Sequence, residues 1–119
     1  MYRAPLQPIS NAQVYVSGDV TIEEGTAVAP GAILQADPDS RIIIAPGVCI
    51  GMGAILHARQ GTLEVEAGAV LGAGVLVIGA GKIGANACIG SGVTLLNPAV
   101  KQHQALPAGA LIGDTSRQI

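Results

Sequence analysis

An aliphatic residue returns every six positions along most of this chain, and that repeat limits the possible folds more than any other feature of the sequence. A period of six fits neither an α-helix, which has 3.6 residues per turn, nor the plain alternation of an amphipathic strand. Fixed-period repeats of this kind are typical of parallel β-helices, in which short strands stack coil upon coil. The repeat is carried by Val16, Ile22, Val28, Leu34, Ile44, Ile50, Leu56, Val65, Leu71, Val77, Ile83, Ile89, Leu95, Leu106 and Ile112.

Each repeat also contains a residue suited to a tight turn. Three positions after the aliphatic residue the chain usually has a residue that tolerates positive φ, namely Gly25, Gly31, Gly47, Gly53, Gly68, Gly74, Asn86, Gly92 or Gly109. A unit of one strand and one turn resembles the hexapeptide-repeat superfamily, whose left-handed parallel β-helices have three hexapeptides in each triangular coil. The resemblance covers residues 14–113 and implies an all-β fold of about five coils.

The composition suits a slender aliphatic core. The chain has no Trp, no Phe and two Tyr, so a core built on aromatic rings is excluded. The net charge is −2 and the six basic residues are scattered, which indicates no surface for nucleic acid. Residues 1–13 contain no apolar run, so we expect no signal peptide, no membrane segment and a cytoplasmic protein. We divide the chain into a lead-in (1–13), a β-helix (14–113) and the start of a C-terminal tail (114–119).

Interruptions of the repeat predict where loops leave the β-helix. Grouping the aliphatic positions in threes gives five coils, which begin at Val16, Leu34, Leu56, Val77 and Leu95. Each of three insertions falls between the first and second strand of its coil, at residues 37–40, 58–62 and 97–104. We therefore expect all three loops to emerge at one corner of the triangular prism.

The same grouping assigns the outward side chains to three faces, because residues that flank an inward residue on a strand point away from it. The first face presents large, mainly apolar side chains: Tyr15, Ile33, Gln35, Ile55, His57, Leu76, Ile78 and Leu96. The second face presents polar and charged ones: Thr21, Glu23, Glu64, Glu66 and Lys82. The third face presents small apolar ones: Ala27, Ala29, Cys49, Gly51, Val70, Gly72, Cys88, Gly90 and Leu111.

The first and third faces are adjacent, and the predicted loops stay clear of the edge that they share. Exposed apolar surface on this scale usually marks an interface, and a prism that offers one edge to its neighbours suits a three-fold assembly. The alternative is an ordinary surface of residues with β propensity. We predict a partner interface formed by Tyr15, Ile33, Gln35, Cys49, Gly51, Ile55, His57, Val70, Gly72, Leu76, Ile78 and Cys88.

Residues with chemical function are few. The chain has two His and two Cys, and none of them has the spacing of a metal-binding motif. His57 is the one candidate for a site, although a lone His on such a face is more often an interface residue than a ligand or a base. His103 falls in the third predicted loop and is expected to be solvated. Cys49 and Cys88 are expected two coils apart, at about 10 Å, which is too far for a disulfide.

Three segments resemble the region of the γ-class carbonic anhydrases that carries an Arg-x-Asp pair, a Gln and the first zinc-binding His. They are residues 34–37, 50–53 and 55–58. His57 and Asp37 keep the family's residues, while Gln35 and Gly51 stand in the places of the Arg and the Gln. The family's other two zinc ligands would match Gly72 and Val77, which cannot bind a metal. The resemblance therefore implies a vestigial His57, no zinc and no other cofactor.

The whole chain resembles the CcmN family of β-carboxysome assembly proteins. The segments that carry this resemblance are 15–18, 29–31, 42–44, 46–53, 60–68 and 111–119. It implies a non-enzymatic adaptor that binds the γ-carbonic-anhydrase-like domain of the scaffold CcmM and works inside the carboxysome. It also implies a linker and a C-terminal helical peptide that bind shell proteins, neither of which precedes Ile119.

Two classes of function stay open at this stage. The adaptor interpretation is favoured by the missing zinc ligands and the two apolar faces, and it predicts a mixed trimer with CcmM. The alternative is a hexapeptide-repeat enzyme. That enzyme would be either an acyltransferase with His57 as its base or a carbonic anhydrase whose site a partner completes.

Overall fold

The computed structural model describes residues 2–3 and 14–113, and within them the chain forms short strands and no helix. The strands wind as a left-handed parallel β-helix of about five turns, with three sheets as the faces of a triangular prism. All nine residues predicted to take positive φ do so, with φ between 57 and 85°. The fold predicted from the repeat is therefore confirmed. Apart from Tyr2–Arg3, the lead-in and the C-terminal tail lie outside the described residues.

Each face is one sheet of parallel strands. The first face consists of Tyr15–Ser17, Ile33–Ala36, Ile55–Ala58, Leu76–Ile78, Thr94–Leu96 and Leu111–Ile112. The second consists of Val20–Ile22, Arg41–Ile44, Thr62–Val65, Gly81–Ile83 and Ala99–Val100, with Tyr2–Arg3 paired antiparallel at its edge. The third consists of Ala27–Val28, Cys49–Ile50, Val70–Leu71, Cys88–Ile89 and Ala105–Leu106.

The core is a stack of aliphatic side chains inside the prism. On the first face Leu34, Leu56, Val77 and Leu95 lie in register on successive coils and are completely buried. Each such side chain contributes about 1.5–3 kcal/mol of gross stabilisation, before chain entropy is subtracted. Ile112, in the last described coil, is 42% exposed, whereas Leu95, its partner in the preceding coil, is completely buried.

Three glycines mark the corner where the chain passes from the third face to the first. A Cβ on Gly51 would lie 2.6 Å from the carbonyl carbon of Gly72, and one on Gly72 would lie 2.8 Å from the amide nitrogen of Ser91. A Cβ on Gly90 would likewise lie 2.6 Å from the amide nitrogen of Ala108. The close passage of successive coils therefore requires glycine here, and the missing side chains do not make room for a partner.

The fifth coil differs from the grouping predicted from the repeat. A loop is predicted at 97–104, but the strand Ala99–Val100 lies there and Val100 is buried on the second face. Val100 follows Leu95 after five residues instead of six, so the six-residue period does not find it. The shorter connection closes at Asn97, which takes a positive φ of 49°.

This correction moves the last predicted positions by one face. Leu106 pairs with Ile89 on the third face, and Ile112 pairs with Leu95 on the first. Leu111, predicted on the third face, therefore lies on the first. His103 lies in a turn at the corner between the second and third faces, where it is exposed as expected.

Two insertions, not three, emerge at the corner between the first and second faces. The first is residues 37–40, as predicted. The second is shorter than predicted, because Ala58 ends the strand Ile55–Ala58 and Thr62 begins the strand Thr62–Val65. The edge between the third and first faces is free of insertions within residues 14–113, as the sequence predicts.

We predict that Gly72→Ala destabilises the chain by about 1–3 kcal/mol, because the new methyl group would force the coil that contains Ser91 to shift. Ala73→Ser, one residue further on at an exposed position, is the control and should change stability by less than about 0.5 kcal/mol. Urea unfolding measures both. Equal stability of Gly72→Ala and wild type would contradict the close coil contact.

Candidate partner interface

Charge is confined to one side of the prism. Within residues 14–113 every charged side chain lies on the second face or at one of its two corners, and the first and third faces have none between those corners. Several of these groups neutralise one another: Arg41 Nε lies 3.0 Å from Asp19 Oδ2, and Lys82 Nζ lies 3.4 Å from Glu66 Oε2. The second face is therefore the solvated one, as predicted, although it also carries the half-buried Ile43.

Two columns of side chains cover the first face. The strand register places Tyr15, Ile33, Ile55, Leu76 and Thr94 in one column and Ser17, Gln35, His57, Ile78 and Leu96 in the other. Every outward residue predicted for this face is confirmed in its place, and the face also carries Thr94 and Ser17, which are absent from the prediction. Tyr15 is 57% exposed, and the central residues are half-buried by their neighbours. The face is therefore a continuous, mainly aliphatic surface.

The third face is flatter. Its outward column is Ala27, Cys49, Val70, Cys88 and Ala105. Val70 separates the two cysteines, which are both free and exposed, so their predicted separation by two coils is confirmed. Gly51 and Gly72 lie beside this column and are half-buried.

The corner between the third and first faces joins the two apolar surfaces. Its turns expose Pro30, Met52, Ala73, Ser91 and Ala108, and none of these side chains is charged. Met52 is 58% exposed and is the largest side chain on the edge. Two uncharged faces thus meet at an uncharged edge, which is the arrangement expected of a surface covered in an assembly.

His57 is the exception on the first face, and it is paired. Its Nε2 atom lies 2.6 Å from Asp37 Oδ1, and Arg59 Nε lies 3.7 Å from the other carboxylate oxygen. The loop at 37–40 positions Asp37, whose amide donates a hydrogen bond to the carbonyl of Ala58 at 3.1 Å. The sequence indicates His57 and Asp37 separately. Gln35 stacks directly below His57, and this places Asp37, two residues after Gln35, close to the imidazole ring.

The described residues do not fit a zinc site. Val77 is completely buried inside the prism, so it is not at an outward ligand position, and Gly72 has no space for a side chain. Both matches suggested by the resemblance are therefore wrong in register. The outward residue above His57 is Ile78, and five residues before it is Ala73; neither binds a metal. Within residues 14–113 no three His, Cys, Asp or Glu side chains lie close enough together to hold a metal ion.

Curated relatives of the chain are carboxysome assembly proteins. CcmN of Synechococcus elongatus is 43% identical over 112 residues, which cover 94% of this chain and 70% of that protein. CcmN of Synechocystis sp. is 38% identical over 112 residues, which cover 94% of this chain and 46% of that protein. CcmM of Synechocystis sp. is 32% identical over 110 residues, which cover 83% of this chain and 16% of that protein.

Solved structures share the fold. A chain in the crystal structure of a CcmM N-terminal domain in complex with CcmN is 44% identical with a TM-score of 0.84, over 85% of this chain and 97% of that chain. The acetyltransferase domain of PglB from Neisseria gonorrhoeae is 21% identical with a TM-score of 0.52, over 84% of this chain and 46% of that chain. At that identity the likeness to the PglB domain shows the fold alone. No model of a protein family matches the chain, and no helix among the described residues is long and apolar enough to cross a membrane.

We predict that the purified chain binds no stoichiometric zinc and has no carbonic anhydrase activity. A single imidazole cannot hold the ion, because the structural and catalytic zinc sites of proteins use at least three protein ligands. Metal analysis after purification in zinc-containing buffer, together with a hydration assay, measures both. Stoichiometric zinc that is lost in His57→Ala would contradict the prediction.

Proposed function

The chain belongs to the CcmN family of carboxysome assembly proteins, and we propose that it is a non-enzymatic adaptor that binds the N-terminal domain of CcmM through its two apolar faces. Membership of that family assigns the chain to the carboxysome. The observation that carries the proposal is the confinement of charge to one side of the prism. A monomer in water gains nothing from two uncharged faces, whereas an assembly buries them.

The choice of partner rests on similarity of fold. Part of a CcmM protein is 32% identical to 83% of this chain, which supports a partner that is itself a prism of stacked coils. The related crystal structure contains a CcmM N-terminal domain together with CcmN. Two prisms of equal coil spacing can lie side by side with their strands in step, and such a contact covers a whole face.

We propose that the assembly is a mixed trimer. In a closed ring of three prisms each subunit uses one face towards one neighbour and a different face towards the other. The first face, with its large side chains, and the flat third face meet at the edge that would lie on the ring's axis. One copy of this chain with two CcmM domains would satisfy both faces, and each CcmM domain would contact the other.

We also propose that the CcmM domain is of the γ-carbonic-anhydrase type and that the adaptor attaches to shell proteins. Both follow from the family resemblance. The prism at residues 14–113 serves the CcmM side of the adaptor. Attachment to shell proteins falls to a C-terminal peptide of the kind found in the family.

An enzymatic role is the competing proposal. The one feature in its favour is the Asp37–His57 pair, because a carboxylate that orients an imidazole is a common arrangement for a general base. The adaptor proposal is preferred because the same pair lies on a face that assembly would cover. An acyl-transfer assay on the chain with common acyl thioesters separates the two, since turnover that His57→Gln abolishes would favour the enzyme.

We predict that Ile55→Asp weakens binding to the CcmM N-terminal domain by roughly a hundredfold or more, because assembly would bury an unpaired carboxylate. Ile43→Asp is the matched control, since Ile43 is equally half-buried on a strand of the second face. It should leave the affinity within about twofold of wild type. Isothermal titration calorimetry gives both constants, and equal losses for the two variants would contradict the assignment of the faces.

We predict that native mass spectrometry of the chain mixed with an excess of the CcmM N-terminal domain gives a complex of two CcmM domains and one copy of this chain. The physical reason is that the first and third faces each take one neighbour. A homotrimer of this chain that does not exchange with CcmM would contradict the mixed trimer.

A further inference from the structure

His57 has a second ring nitrogen that nothing in the described chain binds. Nε2 contacts Asp37, whereas Nδ1 has no hydrogen-bond partner among residues 14–113. The side chain is 29% exposed and lies between Gln35 and Ile78 in its column. A polar atom is thus displayed on a face whose other central side chains are mostly aliphatic.

The Asp37 contact decides what kind of atom Nδ1 is. An ionised carboxylate can only accept hydrogen bonds, so Nε2 carries the proton in the pair, and a neutral ring then has a lone pair at Nδ1. Asp37 is itself held in place, since its second oxygen faces Arg59 and its amide is bonded to the carbonyl of Ala58. Asp37 is therefore a positioning residue for His57, and the neutral ring presents an acceptor outwards.

We propose that Nδ1 of His57 accepts a hydrogen bond from a donor on the partner prism, and that this bond fixes the register in which the two prisms meet. The inference rests on the proposed function, because docking on the first face is what buries the ring. Aliphatic contacts are non-directional, and the coils repeat, so a displacement by one coil would keep much of the apolar contact. Such a displacement would place Ile78 opposite the partner's donor and leave that donor unsatisfied.

The first test measures the ring nitrogens directly. Long-range proton–nitrogen NMR spectra of the chain in mildly alkaline buffer should show a protonated Nε2 and an unprotonated Nδ1 for His57. Adding the CcmM N-terminal domain in buffer with a metal chelator should shift the Nδ1 resonance and leave Nε2 protonated. His103, which is exposed at another corner, is the internal control and should not shift.

The second test measures the affinity of variants for the same domain. His57→Leu should weaken binding roughly fivefold to a hundredfold, because it leaves the partner's donor buried without an acceptor. Ile43→Leu, at a half-buried position on the second face, should stay within about twofold of wild type and is the control. Asp37→Asn should weaken binding less than His57→Leu and should change the protonation pattern of the ring, which a purely structural role of Asp37 would not do.

The outcomes separate this inference from the proposed function. If the wild-type chain binds the CcmM domain, an unshifted Nδ1 and an unchanged affinity of His57→Leu would overturn the hydrogen bond and leave the adaptor intact. Binding that disappears with the chelator would also overturn it, because Nδ1 would then serve a metal ion. A wild-type chain that does not bind the domain would overturn both proposals. Thermal unfolding of each variant checks that it is folded.

Discussion

The stacking of one coil on the next is the interaction on which the rest of this structure depends. Every inward aliphatic residue lies on its counterpart in the neighbouring coil, and the parallel ladders between coils hold that register. The same spacing dictates residues that contribute nothing to the core. Gly51 and Gly72 are glycines because the next coil passes within 3 Å of where their Cβ atoms would be. Inward positions and these glycines are thus determined by the fold, whereas the outward positions and the exposed corner residues are free to carry function.

The outward side chains differ in charge from one face to another. Lys82 and Glu66 pair on the second face, while Ile55, Leu76 and Ile78 occupy the first face, which contains no charged group between its corners. The two kinds of face have the same backbone, so the difference comes from the outward side chains alone. That is why the distant likeness to an acetyltransferase domain conveys the fold and nothing about the chemistry. The adaptor proposal depends on side chains that a comparison of backbones does not register.

The period of the sequence predicts the fold, most of the faces and nine residues with positive φ, because a stacked coil allows few exceptions to its pattern. The prediction from the period fails where the stacking tolerates an exception to the pattern. Val100 arrives one residue early, and Asn97 absorbs the difference in a tight turn. A prediction that assumes a constant period of six therefore places a loop there and assigns Leu106, Leu111 and Ile112 to the wrong faces. The pairing of His57 with Asp37 is not predicted either: the repeat stacks Gln35 below His57, but it does not give the conformation of the loop at 37–40 that brings the Asp37 carboxylate to the ring.

A repeating prism also leaves the register of docking between two prisms poorly determined. Successive coils present nearly equivalent surfaces, so two such prisms held by aliphatic contacts alone would have several registers of similar free energy. A single directional contact removes this degeneracy at small cost in apolar area. The first face of the described chain carries its imidazole at mid-height, with Ile33, Ile55 and Leu76 in the adjacent column. His57 is fixed by a loop anchored on its own coil and the one below, so the position of the acceptor is determined by the same stacking that forms the core. The residue that resembles a remnant of a metal site is thus, in this chain, suited to set the register of an interface.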